Sequence, residues 1–204
     1  MIKITDQKLL AIADELLAGR IGILPTDTLY GLVASALNQK AVERVYDVKG
    51  RAPEKPCIIL IADVSDLSHF GITLDSETSK LLNLLWPGSV SIILPLQHYD
   101  ISNNVVMLSY LHRGTETLAF RLPADEPLRN LLRETGPLIA PSVNPEGTEP
   151  AISIAGARLY FMDKVDFYLD GGPIKGKPST LVSLTEGRVR VLRQGSVIIP
   201  NELL

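Results

Sequence analysis

Apolar and polar residues follow two recurring patterns along this chain. Helical spacing of apolar residues runs from Asp6 to about Leu17 and again from Asn38 to Gly50. Short apolar runs that end or begin at proline, "RIGILP" (20–25) and "CIILIA" (57–62), are typical of buried strands. The two patterns alternate, so the sequence predicts interleaved helices and strands.

The same alternation continues to the C-terminal part of the chain. It predicts helices near Ser76–Trp86, 125–135 and Ile152–Met162, and strands at "SVSIILP", "TLAFRLP", "PLIAPS" and "VDFYLD". The runs "STLVSL" and "VRVLRQG", joined by "TEG", predict an antiparallel hairpin. Gln97 to Glu116 shows no clear period and predicts no element. The expected fold is α/β, a single domain over residues 1–204 with a twisted mixed sheet flanked by helices.

Composition limits the function classes. Hydrophobic residues make up 46% and charged residues 21% of the 204 residues, as in ordinary globular proteins. The formal charge of −3 argues against a protein that coats nucleic acid through charge alone. The single cysteine, Cys57, excludes an internal disulfide, and no apolar run is long enough to span a membrane or act as a signal peptide. We expect a cytoplasmic protein that does not bind membranes.

Three cations nevertheless cluster in "VYDVKGRAPEKP", at Lys49, Arg51 and Lys55. Lys49 ends a predicted helix, where the helix dipole favours a cation whatever the function. Arg51 and Lys55 lie beyond that end in a loop that contains two prolines, and the planar fork of arginine matches phosphate or carboxylate oxygens. The pattern fits either a solvated helix end or a local site for a polyphosphate.

Polar residues also follow two predicted strands. Thr26, Asp27 and Thr28 come after "RIGILP", and Ser142 and Asn144 come after "PLIAPS". Ligands in open α/β sheets bind beyond the carboxyl ends of strands, so these side chains are candidate ligand contacts. The alternatives are a cap on a following helical turn for the first group and an Asn-Pro turn for the second.

The last candidates surround a glycine-rich loop. "DGGPIKGKPST" is not a Walker A loop, because Pro178 separates Lys177 from Ser179. It delivers Ser179 to the start of a strand, unless it is a plain surface connection. Arg121 and Arg193 each follow an apolar strand, where an arginine either lies along the sheet or reaches a ligand.

Several chemistries find no support in the sequence. The histidines, His69, His98 and His112, are widely spaced and form no metal-ligand pattern. No motif marks a covalent nucleophile. Cys57 lies in an apolar strand and is expected in the core.

Taken in order, the motifs of this chain resemble those of the YrdC/TsaC family of L-threonylcarbamoyladenylate synthases. The resemblance runs from Ile21 to Gly195 and rests on "PTDTLYGL", "KGRAPEKP", "WPGSVSIIL", "FRLP", "SVNPEG", "LDGG", "ST" and "RQG". It implies a basic concave pocket and an enzyme of the single-domain type. Such an enzyme joins L-threonine, bicarbonate or CO2, and ATP with its Mg²⁺ into threonylcarbamoyl-AMP and releases pyrophosphate. The product would pass to a tRNA threonylcarbamoyl transferase, with possible RNA contact, to make threonylcarbamoyladenosine.

The resemblance also implies residue roles. Threonine would contact Thr28, Arg121 and Ser179. ATP would contact Arg51, Lys55, Ser142, Asn144 and Arg193, and Lys49 and Arg51 would supply the catalytic cations. No protein metal site is expected.

Two departures from the family pattern keep one alternative open. Leu60 stands where many members carry histidine, and Pro141 stands where threonine is usual. That alternative is a family paralogue with a different carbamoyl or nucleotide reaction. A separate alternative is a non-enzymatic RNA-binding protein that uses the same pocket, since members of the family are described as binding RNA.

Overall fold

The computed structural model describes residues 6–96, 108–185 and 188–204. Its strands are β1 (Gly22–Pro25), β2 (Tyr30–Ser35), β3 (Ile58–Leu60), β4 (Val90–Pro95), β5 (Thr117–Arg121), β6 (Leu138–Ile139), β7 (Phe167–Tyr168), β8 (Thr180–Thr185) and β9 (Arg188–Arg193). Its helices are α1 (Asp6–Leu10), α2 (Ala13–Leu17), α3 (Gln39–Lys49), α4 (Ser76–Leu85), α5 (Ser109–His112), α6 (Glu126–Thr135) and α7 (Ile154–Phe161). Two 3₁₀ helices, Val64–Phe70 and Asn201–Leu203, complete the described elements.

The strands form one 9-stranded mixed sheet in the order β7-β1-β2-β6-β3-β5-β4-β8-β9. The pairs β1–β7, β3–β5 and β4–β8 are parallel, and the remaining neighbours are antiparallel. This twisted mixed sheet with flanking helices confirms the predicted fold class. The β8–β9 hairpin is antiparallel as predicted, although its turn at 186–187 lies outside the described residues.

The helix expected from Asp6 to Leu17 is in fact two short helices. The chain turns at Ala11 and Ile12, and no side chain caps the start of α2. Leu9 on α1 and Leu16 on α2 are both buried. The break lets both short helices pack apolar residues against the same core cluster, an arrangement that periodicity alone did not reveal.

The run "PTDTLYGL" does not cap a helical turn. It forms the turn of an antiparallel hairpin in which Pro25 of β1 pairs with Tyr30 of β2. Thr26 Oγ1 accepts a hydrogen bond from Thr28 N at 3.2 Å and donates to Leu29 O at 2.7 Å. The polar run therefore satisfies the backbone of its own turn. The sequence did not predict strand β2, because the buried run "YGLVAS" directly follows a turn that is built from threonines and an aspartate without glycine.

The ends of α3 are those that the sequence predicts. The Asn38 side chain accepts a hydrogen bond from Ala41 N at 3.1 Å, and Gly50 has a φ of 58° at the C-terminal end. A left-handed residue at that place is commonly glycine because it has no Cβ to clash. The chain then leaves α3 in a fixed direction, which sets the path of Arg51.

Two apolar clusters cover the sheet. The larger cluster includes Ile92 and Phe120 together with Cys57, which is 4% exposed and lies in the core as predicted. The second cluster joins Leu60 and Leu138 to the apolar side of α6. Ile58 packs against this second cluster and also lines the cavity described below, so the cavity adjoins it on the sheet.

The segment from Gln97 to Glu116, which showed no clear period, contains helix α5, beginning at Ser109. Its first part, residues 97–107, lies outside the described residues, and so does His98.

Among the helices that the structure describes, none is both long enough and apolar enough to cross a membrane.

Candidate functional site

A cavity of about 620 Å³ opens beside the central strands of the sheet. Its floor is apolar and is formed by Ile58 of β3, Ile93 of β4, Ala119 of β5 and Leu181 of β8. Side chains alternate between the faces of a strand, so Thr117 and Arg121 share this face of β5 with Ala119. The volume falls in the range of small-molecule sites.

Charged and hydroxyl groups surround this floor. Among the residues that the structure describes, the cavity lining contains three arginines, Arg51, Arg121 and Arg193, and one carboxylate, Glu149. The serine and threonine residues of the lining are Thr26, Thr28, Thr115, Thr117, Ser142 and Ser179. Such a lining suits a ligand that carries negative charge and several hydrogen-bonding groups.

Arg121 is held at one end of the cavity by a buried ion pair. Its Nη1 lies 3.0 Å from Asp27 Oδ1 and donates to Thr28 Oγ1 at 2.9 Å, and its side chain is 4% exposed. Burial raises the pKa of Asp27, an effect that the guanidinium of Arg121 opposes. Asp27 does not line the cavity. It supports Arg121 from behind, while Arg121 and Thr28 face the ligand space.

The glycine-rich loop packs tightly on the β1–β2 turn. A Cβ added to Gly176 would lie 2.0 Å from the Thr28 backbone oxygen, so this approach requires glycine. Tyr30 Oη donates to Gly172 O at 2.7 Å and accepts from Gly171 N at 2.9 Å. These contacts position the loop that leads to Ser179.

Ser179 lies beneath Arg193. Its hydroxyl is 2.8 Å from that of Ser91, and both serines are buried. Arg193 Nη2 donates to the Ser179 backbone oxygen at 2.9 Å. Burial lowers the pKa of Arg193, and the positive charge of Arg51 lowers it further. Arg51 and Arg193 both line the cavity.

Arg51 is fixed by the loop that contains it, residues 51–56, which we call the Arg51 loop. Its Nε donates to Lys55 O at 2.9 Å and its Nη2 donates to Pro56 O at 3.0 Å. Tyr46 Oη donates to the same Lys55 oxygen at 2.9 Å. The loop thus holds the guanidinium through Nε and Nη2, and Arg51 lines the cavity.

Lys49 does not line the cavity and is 3% exposed. Its Nζ donates to Ser142 O at 2.6 Å, to Asn144 O at 2.5 Å and to Asn144 Oδ1 at 3.1 Å. Burial lowers the pKa of Lys49 to about 8, with a smaller contribution from the charge of Arg51. Lys49 therefore fastens the chain at residues 142–144 to the end of α3.

Ser142 and Asn144 lie in a second loop, residues 142–148, which we call the Ser142 loop. Ser142 Oγ donates to Asn144 Oδ1 at 2.6 Å, and Asn144 Nδ2 donates to Thr148 O at 2.8 Å. Ser142 lines the cavity, whereas Asn144 is buried behind it. The chain then turns at Pro145 to Thr148, with a φ of 84° at Gly147, so an Asn-Pro turn is also present.

Lys55 also lies away from the cavity lining. Its ammonium group forms an ion pair with Glu146, and the Lys55 side chain is 56% exposed. Glu146 Oε2 also accepts a hydrogen bond from Ala52 N at 2.6 Å. Glu146 of the Ser142 loop therefore contacts the Arg51 loop at two points.

The two departures from the expected motifs occupy different environments. Leu60 is fully buried in the second apolar cluster and does not line the cavity. Pro141 is buried and lines the cavity next to Ser142. A ligand would therefore meet Pro141 and not Leu60.

Of the candidate residues predicted from the sequence, seven line one cavity: Thr26, Thr28, Arg51, Arg121, Ser142, Ser179 and Arg193. Lys49, Lys55 and Asn144 lie behind it or beside it. Sequence reasoning missed Ser91, Glu146 and Glu149. Ser91 sits in an apolar strand as a buried hydroxyl, which is the one local signal that could have drawn attention to it.

Across residues 6–96, 108–185 and 188–204, no group of three or more histidine, cysteine, aspartate or glutamate residues comes together as a metal site.

Comparison with known proteins places this geometry in a family. The sequence profile of the Sua5/YciO/YrdC family, described as "Telomere recombination", matches residues 14–195. A threonylcarbamoyl-AMP synthase of Bacillus subtilis is 34% identical over 196 residues, which are 94% of this chain and 54% of that protein. A threonylcarbamoyl-AMP synthase of Marinobacter nauticus is 31% identical over 183 residues, 88% of this chain and 93% of that protein.

The fold is similar as well. The structure of Pyrococcus abyssi Sua5 complexed with L-threonine superposes with a TM-score of 0.82 at 32% identity, over 95% of this chain and 55% of that chain. This chain thus spans just over half of some relatives and nearly all of others. The profile match covers far more than half of the chain, and the relatives exceed 30% identity over most of it. The chain therefore belongs to the Sua5/YciO/YrdC family.

Proposed function

We propose that this protein synthesises L-threonylcarbamoyl-AMP from L-threonine, bicarbonate or CO2, and ATP, with release of pyrophosphate. The observation that carries the proposal is the convergence of Arg51, Arg121 and Arg193 on one cavity with an apolar floor and several hydroxyl groups. The names of the relatives and the threonine complex of P. abyssi Sua5 support it. In class, the enzyme is a nucleotidyltransferase.

The reaction brings one anion toward another. Threonine's amine and CO2 form a carbamate, with loss of one proton from the amine. A carbamate oxygen then attacks the α-phosphorus of ATP, so that a new O–P bond forms and the bond to pyrophosphate breaks. Fixed cations offset the repulsion between the reactants and the charge that grows on the leaving group. No covalent intermediate on the protein is needed.

The arginines are suited to this task because other groups of the protein already hold each of them in place. Arg51 is anchored by two backbone oxygens, Arg193 by the backbone oxygen of Ser179, and Arg121 by Asp27. Donors that are already oriented need not reorganise as charge develops. In this proposal Arg51 and Arg193 bind the phosphates.

Threonine would bind at the other end of the cavity. Arg121 would pair with its carboxylate, and the hydroxyls of Thr28 and Ser179 would bind its polar groups. Ser142 would contact the nucleotide. Lys49 and Asn144, which lie behind the lining, would act on the substrate only through the residues that they position.

Mg²⁺ would arrive with the nucleotide. Magnesium in nucleotide sites is bound mainly by phosphates and water, with one or two carboxylates. In the described part of the chain the lining carries one carboxylate, Glu149, which fits such limited protein ligation. The ion would neutralise part of the triphosphate charge when bound.

The product is a mixed anhydride of a carbamic acid and a phosphate, which hydrolyses readily. We therefore place this protein next to a transferase that moves the threonylcarbamoyl group to tRNA in the cytoplasm.

The test incubates the protein with ATP, Mg²⁺, bicarbonate and L-threonine and measures pyrophosphate. We expect release that depends on threonine. Replacement of threonine by serine or valine separates this function from a related carbamoyl reaction. Absence of threonine-dependent pyrophosphate, together with salt-sensitive RNA binding, would favour the RNA-binding alternative.

A further inference from the structure

Two loops on one side of the cavity are joined by a glutamate that has no role in the proposed chemistry. Glu146 Oε2 accepts from Ala52 N at 2.6 Å, its Oε1 pairs with Lys55, and its own N donates to Lys49 O at 3.3 Å. We propose that Glu146 is a positioning residue that holds the Arg51 loop in the form in which Arg51 can bind a polyphosphate.

Arg51 is oriented by the backbone of its own loop. Its guanidinium is bound by the backbone oxygens of Lys55 and Pro56, at the far end of its own loop. The orientation of Arg51 therefore depends on the shape of that loop. Lys55 N donates to Ala52 O at 3.1 Å, which closes the loop into a short turn.

Glu146 fixes both ends of that turn. One carboxylate oxygen binds the backbone of Ala52, next to Arg51, and the other binds the side chain of Lys55. We call these two contacts the brace. The Lys55 contact lowers the pKa of the Glu146 carboxyl most, and the Ala52 amide lowers it further, so the brace holds the charged form.

The sequence also explains how Glu146 is aimed. It follows Pro145 in a turn in which Thr148 N donates to Pro145 O at 3.2 Å. The next residue, Gly147, has a φ of 84°, a conformation that glycine adopts without steric cost. Asn144 stabilises the same turn, because its Nδ2 donates to Thr148 O. Lys49 Nζ in turn donates to Asn144 Oδ1. Glu146 is thus presented to the Arg51 loop from a fixed base.

Glu146 affects anion binding in two opposite ways, and two variants separate them. Its negative charge weakens the binding of an anion nearby, an effect that Glu146→Gln and Glu146→Ala both remove. The glutamine retains an oxygen that can accept from Ala52 N, whereas alanine removes the brace entirely. The difference between the two variants therefore measures the brace.

The first measurement is hydrogen exchange of the Ala52 amide by NMR, which is independent of the proposed function. We expect exchange to be roughly tenfold faster in Glu146→Ala than in the wild type, since a hydrogen bond to a charged acceptor contributes enough for such a change. Glu146→Gln should lie between the wild type and Glu146→Ala, because its neutral oxygen still accepts from Ala52 N. Glu126 offers a matched control, because it too is a glutamate in an ion pair, in its case with Arg129 and Arg133. Glu126→Ala should not alter the exchange rate of the Ala52 amide.

The second measurement is calorimetric titration with inorganic tripolyphosphate, which rests on the proposed function. We expect Glu146→Gln to bind at least as tightly as the wild type and Glu146→Ala to bind roughly three- to tenfold more weakly than Glu146→Gln. Equal affinity and equal Ala52 exchange in the two variants would overturn the inference. If the wild type does not bind tripolyphosphate, the proposed function fails, and Ala52 exchange alone decides whether the brace exists.

Discussion

The ammonium group of Lys49 lies 2.6 Å from the backbone oxygen of Ser142, and through this contact the end of α3 holds a wall of the cavity. A lysine at a helix end would ordinarily be explained by the helix dipole. Here its side chain is buried and binds three oxygen atoms of the Ser142 loop.

The burial of Lys49 predicts an unusual titration. Its pKa lies at about 8, below the ordinary 10.5, because burial disfavours the ammonium form. Between these pH values the unfolded chain binds more protons than the folded protein. The stability of the wild type relative to Lys49→Met should therefore rise as the pH increases from about 8 toward 10.5.

Urea unfolding of both proteins at several pH values measures this difference. At neutral pH we expect Lys49→Met to be destabilised by about 1 to 3 kcal/mol, because it leaves backbone oxygens without a donor. NMR of labelled lysine, with the signal assigned by its absence in the variant, reports the pKa itself. A stability difference that stays flat across this pH range would contradict the prediction.

Arg51→Ala should reduce pyrophosphate synthesis. Hydrogen bonds to charged groups contribute about 1.5 to 3 kcal/mol, so we expect kcat/KM for ATP to fall roughly 10- to 100-fold. Arg51→Lys should recover only part of this loss, since lysine lacks the planar fork. Arg44→Ala is the control, because Arg44 pairs with Asp166 on the surface and does not line the cavity. Equal rates in the Arg51 and Arg44 variants would exclude a role for Arg51.

Asp27→Asn should destabilise the fold and not only the site. The ion pair with Arg121 is buried on both sides, at 4% and 11% exposure, and removal of one partner leaves a buried charge unpaired. Such a loss costs about 3 to 5 kcal/mol. Equilibrium unfolding in urea measures this loss in the free energy of unfolding. The exposed pair of Arg20 with Glu15 is the reference, and Glu15→Gln should cost less than about 1 kcal/mol.

Gly176→Ala should disturb threonine binding. The added Cβ would clash with the Thr28 backbone oxygen, which must then move together with the hydroxyl of Thr28. We expect KM for threonine to rise on the order of tenfold, because small displacements of positioning groups have effects of that size. Gly156→Ala, in α7, meets only ordinary contacts of 3.6 Å and should leave KM unchanged.

The sequence predicts much of the fold because local signals are strong where helices are capped and strands are apolar. Asn38 and Gly50 bound α3 as expected, and the order of motifs identifies the family. The β1–β2 hairpin was missed since its turn is built from threonines and an aspartate without glycine. Local pattern likewise could not show the break after α1, which depends on packing against α6.

The sequence predicts which residues come together near the site better than it predicts the contacts between them. Arg51, Arg121 and Arg193 meet in one cavity, which the motif order anticipated. Lys55, by contrast, pairs with Glu146, a residue 91 positions away in the sequence. Contacts at such separation depend on the path of the whole sheet, and no local spacing encodes them. Mg²⁺ and the domain limits remain predictions.

The strand order has a consequence for synthesis of the chain on the ribosome. Arg121 binds Thr28 across 93 residues, and Ser179 and Arg193 join them only when β8 pairs with β4. Contacts between distant residues form late, after the loop between them has closed. A nascent chain that ends before β8 has the β1–β2 hairpin but lacks the opposite wall. We therefore expect emerging chains to gain affinity for nucleotide abruptly, when the last two strands leave the exit tunnel.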